Sequence, residues 1–270
     1  MTIKAISAAS AREAVHLILL KRLEGLSERR KIIVKGGVNL RLFFGSVRYS
    51  EDMDLDGDPT ASVAIKDAIC GVFEDRTTIE ELRKLGIRGL DPGGGPNKDT
   101  ETTYRHKFGV VTGGGVTYPT KVEVSFRGRY DRDEILRSKP SPDVVRPYLG
   151  ENFSLRLSHY ARNAAVRQKV LALAGRQFVQ ARDVYDLNVL APSGQNTEAA
   201  GVLAREVDGE ILQGAHDRAL EISYDEYRGQ VVEFLPGRVR VGHELDVVWD
   251  EMRLNVASLL EAAIDLRRNE

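Results

Sequence analysis

Residues 32–56 read IIVKGGVNLRLFFGSVRYSEDMDLD, and this stretch decides the predicted fold. The apolar run at residues 32–34 ends at two glycines, which predicts a buried strand that turns into a short helix over residues 38–44. Residues 52–56 alternate aspartate with apolar side chains, so a second strand presents three aspartates on one face. A strand, a glycine turn, a helix and an acidic strand in this order indicate an α/β domain.

The same stretch predicts a site for phosphate and a divalent cation. A glycine turn that opens a helix leaves backbone N–H groups available to an anion. Asp52 and Asp54 supply the oxygen ligands that Mg²⁺ prefers, with Mn²⁺ as the alternative ion. Glu123 lies on another predicted strand, in K-V-E-V-S at residues 121–125, and is placed to complete the site. Carboxylates crowded in this way repel one another, so a cation is a natural reason to keep them together.

The rest of the chain predicts two parts. A helix is expected over residues 8–29 and another over residues 60–73, and residues 104–112 and 116–126 are expected to form a β-hairpin around a Gly-Gly-Gly turn. After about residue 150 the pattern is helical, with helices predicted over 158–176, 182–190 and 246–268. We therefore predict an α/β domain over residues 1–148, a helical domain over residues 149–270, and an active site in the cleft between them.

Composition excludes several classes of protein. The single cysteine excludes an internal disulfide framework, and no apolar run is long enough for a membrane span, so we expect a cytoplasmic protein. The net charge of −1 means that any nucleic acid must bind to a local patch. Residues 152–182 offer one, since they contain six basic and no acidic residues. Arg162, Lys169 and Arg176 are seven residues apart and are predicted to share a helix face that could follow the phosphates of an NTP or of RNA.

Several short motifs, taken together, resemble those of a known family. They are K-G-G-V-N-L at residues 35–40, R-Y-S-E-D-M-D at 48–54, K-V-E at 121–123, K-V-L at 169–171 and R-D-V-Y-D-L at 182–187. In this order they resemble the AbiEii/AbiGii (MenT-type) toxins of the DNA polymerase β-like nucleotidyltransferase superfamily. The resemblance covers roughly residues 30–190, and the last 80 or so residues show only generic helices.

The resemblance implies a polymerase β-like α/β nucleotidyltransferase domain with a mixed sheet, followed by a helical domain. It implies transfer of nucleotides from an NTP to the 3′ end of RNA, with tRNA acceptor stems as the expected substrate. Such a reaction would block translation, as the toxin of a type IV-like toxin–antitoxin system. A cognate antitoxin from the same operon would be the partner.

The resemblance also assigns roles to individual residues. The expected metal ligands are Asp52, Asp54 and Glu123. The expected nucleotide-binding residues are Lys35, Gly36, Gly37, Arg48, Ser50 and Lys169. The expected catalytic residues are Asp52, Asp54, Lys169 and Asp186, and the expected RNA-binding residues are Arg162 and Arg176. Asp186 would orient Lys169 or help to activate the acceptor hydroxyl. Asp56 is expected to be peripheral, because only the first two aspartates fit the motif.

The residues by themselves leave other interpretations open. Glu123 could simply pair with Lys121, and the row of Arg162, Lys169 and Arg176 could be a solvated helix face. A nucleotidyltransferase that acts on a small molecule or a protein is the main alternative function, although the basic stretch at residues 152–182 favours RNA. A non-catalytic nucleotide-binding protein is the other alternative, and the intact pair of Asp52 and Asp54 argues against it.

Overall fold

The computed structural model describes residues 6–29, 31–128, 132–194 and 196–269. Backbone contacts divide the chain into two compact units, the first formed by Met1–Phe43 and Tyr49–Tyr160 and the second by Phe44–Arg48 and Ala161–Glu270. The boundary predicted between residues 148 and 149 stays a prediction, as does the cleft between the two domains.

The first unit is a mixed α/β structure. Its helices are α1 (Ala8–Arg22), α2 (Glu24–Glu28), α3 (Gly36–Phe43), α4 (Ser62–Glu74), α5 (Arg76–Lys84) and α6 (Pro142–Leu149). Its strands are β1 (Ile32–Lys35), β2 (Met53–Gly57), β3 (Ile87–Asp91), β4 (Lys98–Asp99), β5 (Thr103–Thr112), β6 (Thr117–Ser125), β7 (Ile135–Ser138) and β8 (Leu157–Tyr160). Short 3₁₀ turns cover Pro59–Ala61 and Arg132–Glu134.

The eight strands form one sheet, which places the acidic strand at its centre. The order is β3-β5-β6-β2-β1-β8-β7, and β4 pairs with β5. Strand β2 runs antiparallel to β1 and parallel to β6. Met53, Leu55, Val122 and Val124 point into the core and are almost fully buried. Because side chains alternate along a strand, the neighbouring acidic and basic residues of β2 and β6 share the opposite face.

Helix α1 packs against this sheet and is buried more completely than its sequence suggests. The pattern predicts an amphipathic helix, but its buried residues surround most of the axis and include two polar ones, Glu13 and His16. Arg41 donates to Glu13 at 2.7 Å, and the Tyr148 hydroxyl donates to the same carboxylate at 2.9 Å. The buried charge is therefore paired, as burial of a carboxylate requires.

The second unit is helical. Its helices are α7 (Arg162–Gly175), α8 (Ala181–Leu190), α9 (Thr197–Glu206), α10 (Gly209–Glu221), α11 (Tyr224–Gln230), α12 (Gly237–His243) and α13 (Asp246–Arg268), with a 3₁₀ turn at Val232–Phe234. Long helix α13 packs against α8, α9 and α10. Its Trp249 is buried, stacks on Tyr227 with the ring centres 4.5 Å apart, and donates from Nε1 to the carbonyl oxygen of Ile222.

Most of the predicted elements are confirmed, and two are wrong in part. The helix predicted over residues 8–29 is divided into α1 and α2. The strand after residue 31, the acidic strand, the hairpin and the helix at residues 246–268 lie where they were predicted. The helix predicted over residues 158–176 instead begins at Arg162, because residues 157–160 form strand β8 between β1 and β7. All four residues of β8 are buried in the sheet, and this pairing outweighs the helical pattern of the local sequence.

None of the helices in the described part of the chain is long and apolar enough to cross a membrane.

Candidate active site

Two predicted metal ligands meet on the exposed face of the sheet. Asp54 on β2 and Glu123 on β6 are direct partners in the parallel register, and Asp52 lies just before β2. The carboxylate of Asp52 keeps about a third of its surface exposed, and that of Glu123 about a quarter. The structure thus brings together the carboxylates that the sequence predicted, although their role as metal ligands stays a prediction.

Two cations lie among these carboxylates. Lys121 Nζ is 3.2 Å from Asp52 Oδ2 and 4.0 Å from Glu123 Oε2, and Arg105 Nε donates to Glu123 Oε2 at 2.6 Å. We call the side chains of Asp52, Asp54, Glu123, Lys121 and Arg105 the ionic face. Within the described residues, no group of three or more His, Cys, Asp or Glu side chains is arranged to hold a metal ion.

The surroundings of Asp54 and Glu123 act differently on the pKa values of the two carboxylates. Burial raises the pKa of Asp54, with further increases from the charges of Glu123 and Asp52 and opposing effects from Lys121 and Lys35. Burial acts in the same direction on Glu123, but the hydrogen bond and charge of Arg105 outweigh it and lower the pKa of Glu123. The pKa values of these two carboxylates are therefore shifted in opposite directions.

Gly36 closes the ionic face on the side of β1. Its φ of +63° lies in the left-handed region, where glycine is favoured. A Cβ at this position would lie 3.2 Å from Oδ2 of Asp54. The glycine is therefore required both by the turn from β1 into α3 and by the close approach of the backbone to the carboxylate. Helix α3 begins at this glycine, so the unpaired N–H groups of its first turn lie at the end of β1.

Lys35 is held by Asp56, the aspartate that the sequence analysis expected to be peripheral. Its Nζ donates to Asp56 Oδ1 at 2.6 Å, and the Tyr160 hydroxyl donates to Asp56 Oδ2 at 2.7 Å. Asp56 is buried, and its expected peripheral role in the site stays a prediction. Its contacts assign it to holding Lys35 in place beside β2.

A hydrogen-bond chain supports the loop that carries Asp52. The Thr120 hydroxyl donates to the carbonyl oxygen of Glu51 at 2.6 Å, and His16 Nε2 lies 3.0 Å from the same hydroxyl. Since the threonine proton is used toward Glu51, His16 must donate from Nε2. Burial, and to a lesser degree the charge of Arg12, lower the pKa of His16 to about 3. Ser50 donates to the carbonyl oxygen of Asp52 at 2.8 Å and fixes the same loop.

The second unit contains a separate cluster of charges. Lys169 Nζ on α7 is 2.6 Å from Asp186 Oδ2 and 3.0 Å from Asp183 Oδ1, both on α8. Arg48 donates to both oxygens of Asp186 at 3.2 Å, and Arg176 Nε is 2.8 Å from Asp183 Oδ2. We call these five side chains the buried network, because both aspartates are inaccessible to solvent.

The buried network favours the charged forms of Lys169 and Asp186. Burial alone would lower the pKa of Lys169, but the charges of Asp186 and Asp183 outweigh it and raise that pKa. Burial alone would raise the pKa of Asp186, but Arg48 and Lys169 lower it. The three cations and two anions leave one net positive charge among these five groups.

The predicted row of three cations along one helix face is not formed. Helix α7 ends at Gly175, so Arg176 follows the helix in an extended conformation. Lys169 is buried in the network, and Arg162 donates to the carbonyl oxygen of Leu190 at 2.6 Å. The three residues are seven apart in the sequence, but α7 has only 14 residues and ends before Arg176. The roles of Arg162 and Arg176 in RNA binding stay predictions.

The sequence did not single out four residues of these clusters. Lys121 is visible in the alternation of β6, but it was considered only as a structural partner of Glu123. Arg105 follows from the hairpin register, which pairs it with Glu123. Asp183 was considered only as a motif residue and as an ion-pair partner of Arg182 or Arg176, and the structure forms the pair with Arg176. No local signal connects His16 on α1 with Thr120 on β6, because their contact spans 104 residues.

Comparisons with known proteins identify the family of the chain. The family model described as "Nucleotidyl transferase AbiEii toxin, Type IV TA system" matches residues 18–251. The comparison with curated proteins finds no relative.

Two solved structures show the fold. JHP933 from Helicobacter pylori is similar over 98% of this chain and 96% of its own, with a TM-score of 0.58 and 16% identity. MenT4, a nucleotidyltransferase toxin from Mycobacterium tuberculosis H37Rv, is similar over 96% of this chain and 93% of its own, with a TM-score of 0.53 and 15% identity.

Proposed function

Because the chain belongs to the AbiEii family of nucleotidyl transferase toxins of type IV toxin–antitoxin systems, we propose that it transfers nucleotides from an NTP to the 3′ end of RNA. The proposed acceptor is the acceptor stem of tRNA, whose extended 3′ end could not be aminoacylated, so that translation would stop. The family implies an antitoxin partner, and we propose that it comes from the same operon. With these substrates the reaction would take place in the cytoplasm.

The arrangement around Asp54 carries the proposal. On one side the carboxylate meets the backbone of Gly36, where a helix begins, and on the other side it meets Glu123. A helix N-terminus binds phosphate, and paired carboxylates bind a divalent cation. A nucleoside triphosphate is a ligand that needs both at once.

The chemistry of the carboxylates fits Mg²⁺, or Mn²⁺ in its place. Asp52, Asp54 and Glu123 offer only oxygen donors, which a hard cation prefers. In the structure Asp52 and Glu123 face Lys121 and Arg105, so the lysine must leave Asp52 when an ion binds. A bound ion would neutralise the charge that develops on the transferred phosphate. These three residues would hold it.

Other residues of the first unit would bind the triphosphate and accept the proton of the acceptor hydroxyl. The N–H groups of Gly36 and Gly37 would bind phosphate oxygens, with Lys35 and Ser50 beside them. The 3′-hydroxyl oxygen bonds to the α-phosphorus, the bond from that phosphorus to the bridging oxygen breaks, and pyrophosphate leaves with the bonding electrons. An oxygen of Asp54 would accept the hydroxyl proton, because Asp54 lies beside Glu123 on the ionic face.

In the second unit we assign Asp186 a positioning role. Both of its oxygens bind cations and the side chain is fully buried, which favours the orientation of Lys169 over activation of the acceptor hydroxyl. We propose Lys169 and Arg48 as nucleotide-binding residues, because the buried network carries a net positive charge that suits an anion. Arg162 and Arg176 would contact RNA phosphates.

A labelling experiment tests the proposal. The protein is incubated with total tRNA, Mg²⁺ and each NTP in turn, labelled at the α-phosphate. We expect label on RNA with the wild type, none with Asp52→Ala, and wild-type labelling with Asp67→Ala, which removes an exposed carboxylate of α4 outside the site. EDTA should abolish labelling, and added Mg²⁺ or Mn²⁺ should restore it.

Other products would contradict specific parts of the proposal. Label on a protein or a small molecule, with none on RNA, would overturn the RNA acceptor but leave nucleotidyl transfer intact. Labelling that persists in EDTA would overturn the role of the metal.

A further inference from the structure

We propose that a groove beside the ionic face binds the single-stranded 3′ end of the RNA acceptor, an inference that rests on the proposed function. The groove has a volume of about 770 Å³ and is lined entirely by residues of the first unit. This volume lies within the range of ligand pockets, roughly 300–1,000 Å³. Neither the sequence motifs nor the family description assigns it a ligand.

The position of the groove in the sheet separates it from the proposed triphosphate site. Strand β2 lies between β1 and β6. The glycine turn is on the β1 side, where Gly36 meets Asp54. The groove is on the other side, since it begins at Asp52 and Lys121 and extends across β6 and β5 to Asp91 at the end of β3. Asp52 is therefore placed between two sites, as transfer between two substrates requires.

The lining of the groove suits a nucleic-acid strand. Arg12, Lys107 and Lys121 provide three cations for phosphates beside the carboxylates of Glu51, Asp52 and Asp91, and the exposed Pro119 provides apolar surface for a base or ribose. Two of the cations have acidic partners, Arg12 with Glu51 at 3.4 Å and Lys121 with Asp52 at 3.2 Å. The side chain of Lys107 is exposed and has no hydrogen-bond or ion-pair partner among the residues that the structure describes.

Lys107 is also aligned with the reacting site. It is the register partner of Lys121 across the β5–β6 hairpin, and Lys121 contacts Asp52. The two lysines and the carboxylate thus form a line from the open part of the groove to the ionic face. An RNA strand that follows this line would bring its 3′ end to Asp52.

Charge reversal at Lys107 tests the inference. Lys107→Glu should raise the KM for the tRNA acceptor about tenfold and leave the KM for the NTP unchanged, and it should reduce the salt dependence of RNA binding by about one counterion. Lys107→Arg should behave as the wild type. Lys139→Glu is the matched control, because Lys139 is another exposed lysine of the first unit outside the groove. Binding of a 5′-fluorescein-labelled RNA hexamer, measured by fluorescence anisotropy, should follow the same order.

The outcomes separate the groove from the proposed function. If the wild type labels tRNA but Lys107→Glu and Lys139→Glu have the same acceptor KM, the groove inference is wrong and the function stands. If Lys107→Glu raises the KM for the NTP instead, the groove is a nucleotide site and the inference is again wrong. If the wild type labels no RNA and does not bind the hexamer, both fail. If it labels no RNA but binds the hexamer in a Lys107-dependent way, the RNA groove stands and the proposed function fails.

Discussion

The ionic face and the buried network are built from the same kinds of residue and differ in their access to solvent. On the ionic face, Asp52 and Glu123 keep a quarter to a third of their surface, and their cations are also partly exposed. In the buried network, Asp183 and Asp186 are inaccessible to solvent. Exposed ion pairs contribute little stability and exchange readily, whereas a buried pair is costly to break. The ionic face can therefore exchange its cations for a ligand, while the buried network holds its own members in place.

The largest expected effect tests the ionic face. Asp54→Asn keeps the shape of the side chain but removes a charge that the proposed metal site needs. We expect the rate of nucleotidyl transfer to fall by about 10³-fold or more, since a metal supplies several kcal/mol of transition-state stabilisation. Unfolding in urea should show no loss of stability, because burial already disfavours the charge of Asp54. An Asp54→Asn protein that is unstable would mean that the ionic face is structural.

The next effect tests the buried network. Asp186→Asn leaves Arg48 and Lys169 without their shared anion, and loss of one partner of a buried pair typically costs about 3–5 kcal/mol. The control is Asp225→Asn, which breaks an exposed pair with Arg228 and should cost less than about 1 kcal/mol. Both are measured by urea unfolding monitored by circular dichroism. Equal losses for the two variants would remove the distinction between buried and exposed clusters.

The third effect concerns the support behind the ionic face. The pKa of His16 is about 3 in the folded protein, so between pH 6.5 and pH 3 the unfolded chain binds more protons at this residue. Its contribution to stability is therefore complete above pH 6.5 and is lost as the pH falls. Between pH 6.5 and pH 5 the loss should be about 2 kcal/mol.

His16→Gln is the variant that isolates this loss. Glutamine can still donate to Thr120 but does not titrate, so the variant should lose less stability than the wild type between pH 6.5 and pH 5. His159, whose pKa is lowered to about 4 by burial, remains in the variant and accounts for a remaining slope. Identical pH profiles of the two proteins would contradict the role given to His16.

The smallest expected effect concerns the replacement of Lys121 by a metal ion at Asp52. Lys121→Met removes the cation that competes with a metal for Asp52. An exposed pair contributes at most about 1 kcal/mol, so the affinity for Mn²⁺ should rise by up to about fivefold. Titration of Mn²⁺ followed by electron paramagnetic resonance measures this affinity without any substrate. A weaker affinity in the variant would show that Lys121 supports the metal site.

Much of the fold was accessible from the sequence because its signals are local. The alternation of aspartate with Met53 and Leu55 predicted strand β2, and the triple glycine with alternating flanks predicted the β5–β6 hairpin. Strand β8 was not predictable from the local sequence. Residues 157–160 carry a pattern that continues into a helix, and only their position between β1 and β7 makes them a strand.

The candidate site was also predictable only in part from the sequence. The sequence by itself supplied the residues proposed for it: the glycine turn, the pair Asp52 and Asp54, Glu123, and the motif residues Lys169 and Asp186. The tertiary structure decided their environment. It placed Lys121 and Arg105 among the carboxylates, joined His16 to Thr120, and buried Lys169 in a network of ions. The physical reason is that side-chain identity and periodicity are written locally, whereas charge pairing and burial depend on strands and helices that the chain brings together over tens of residues.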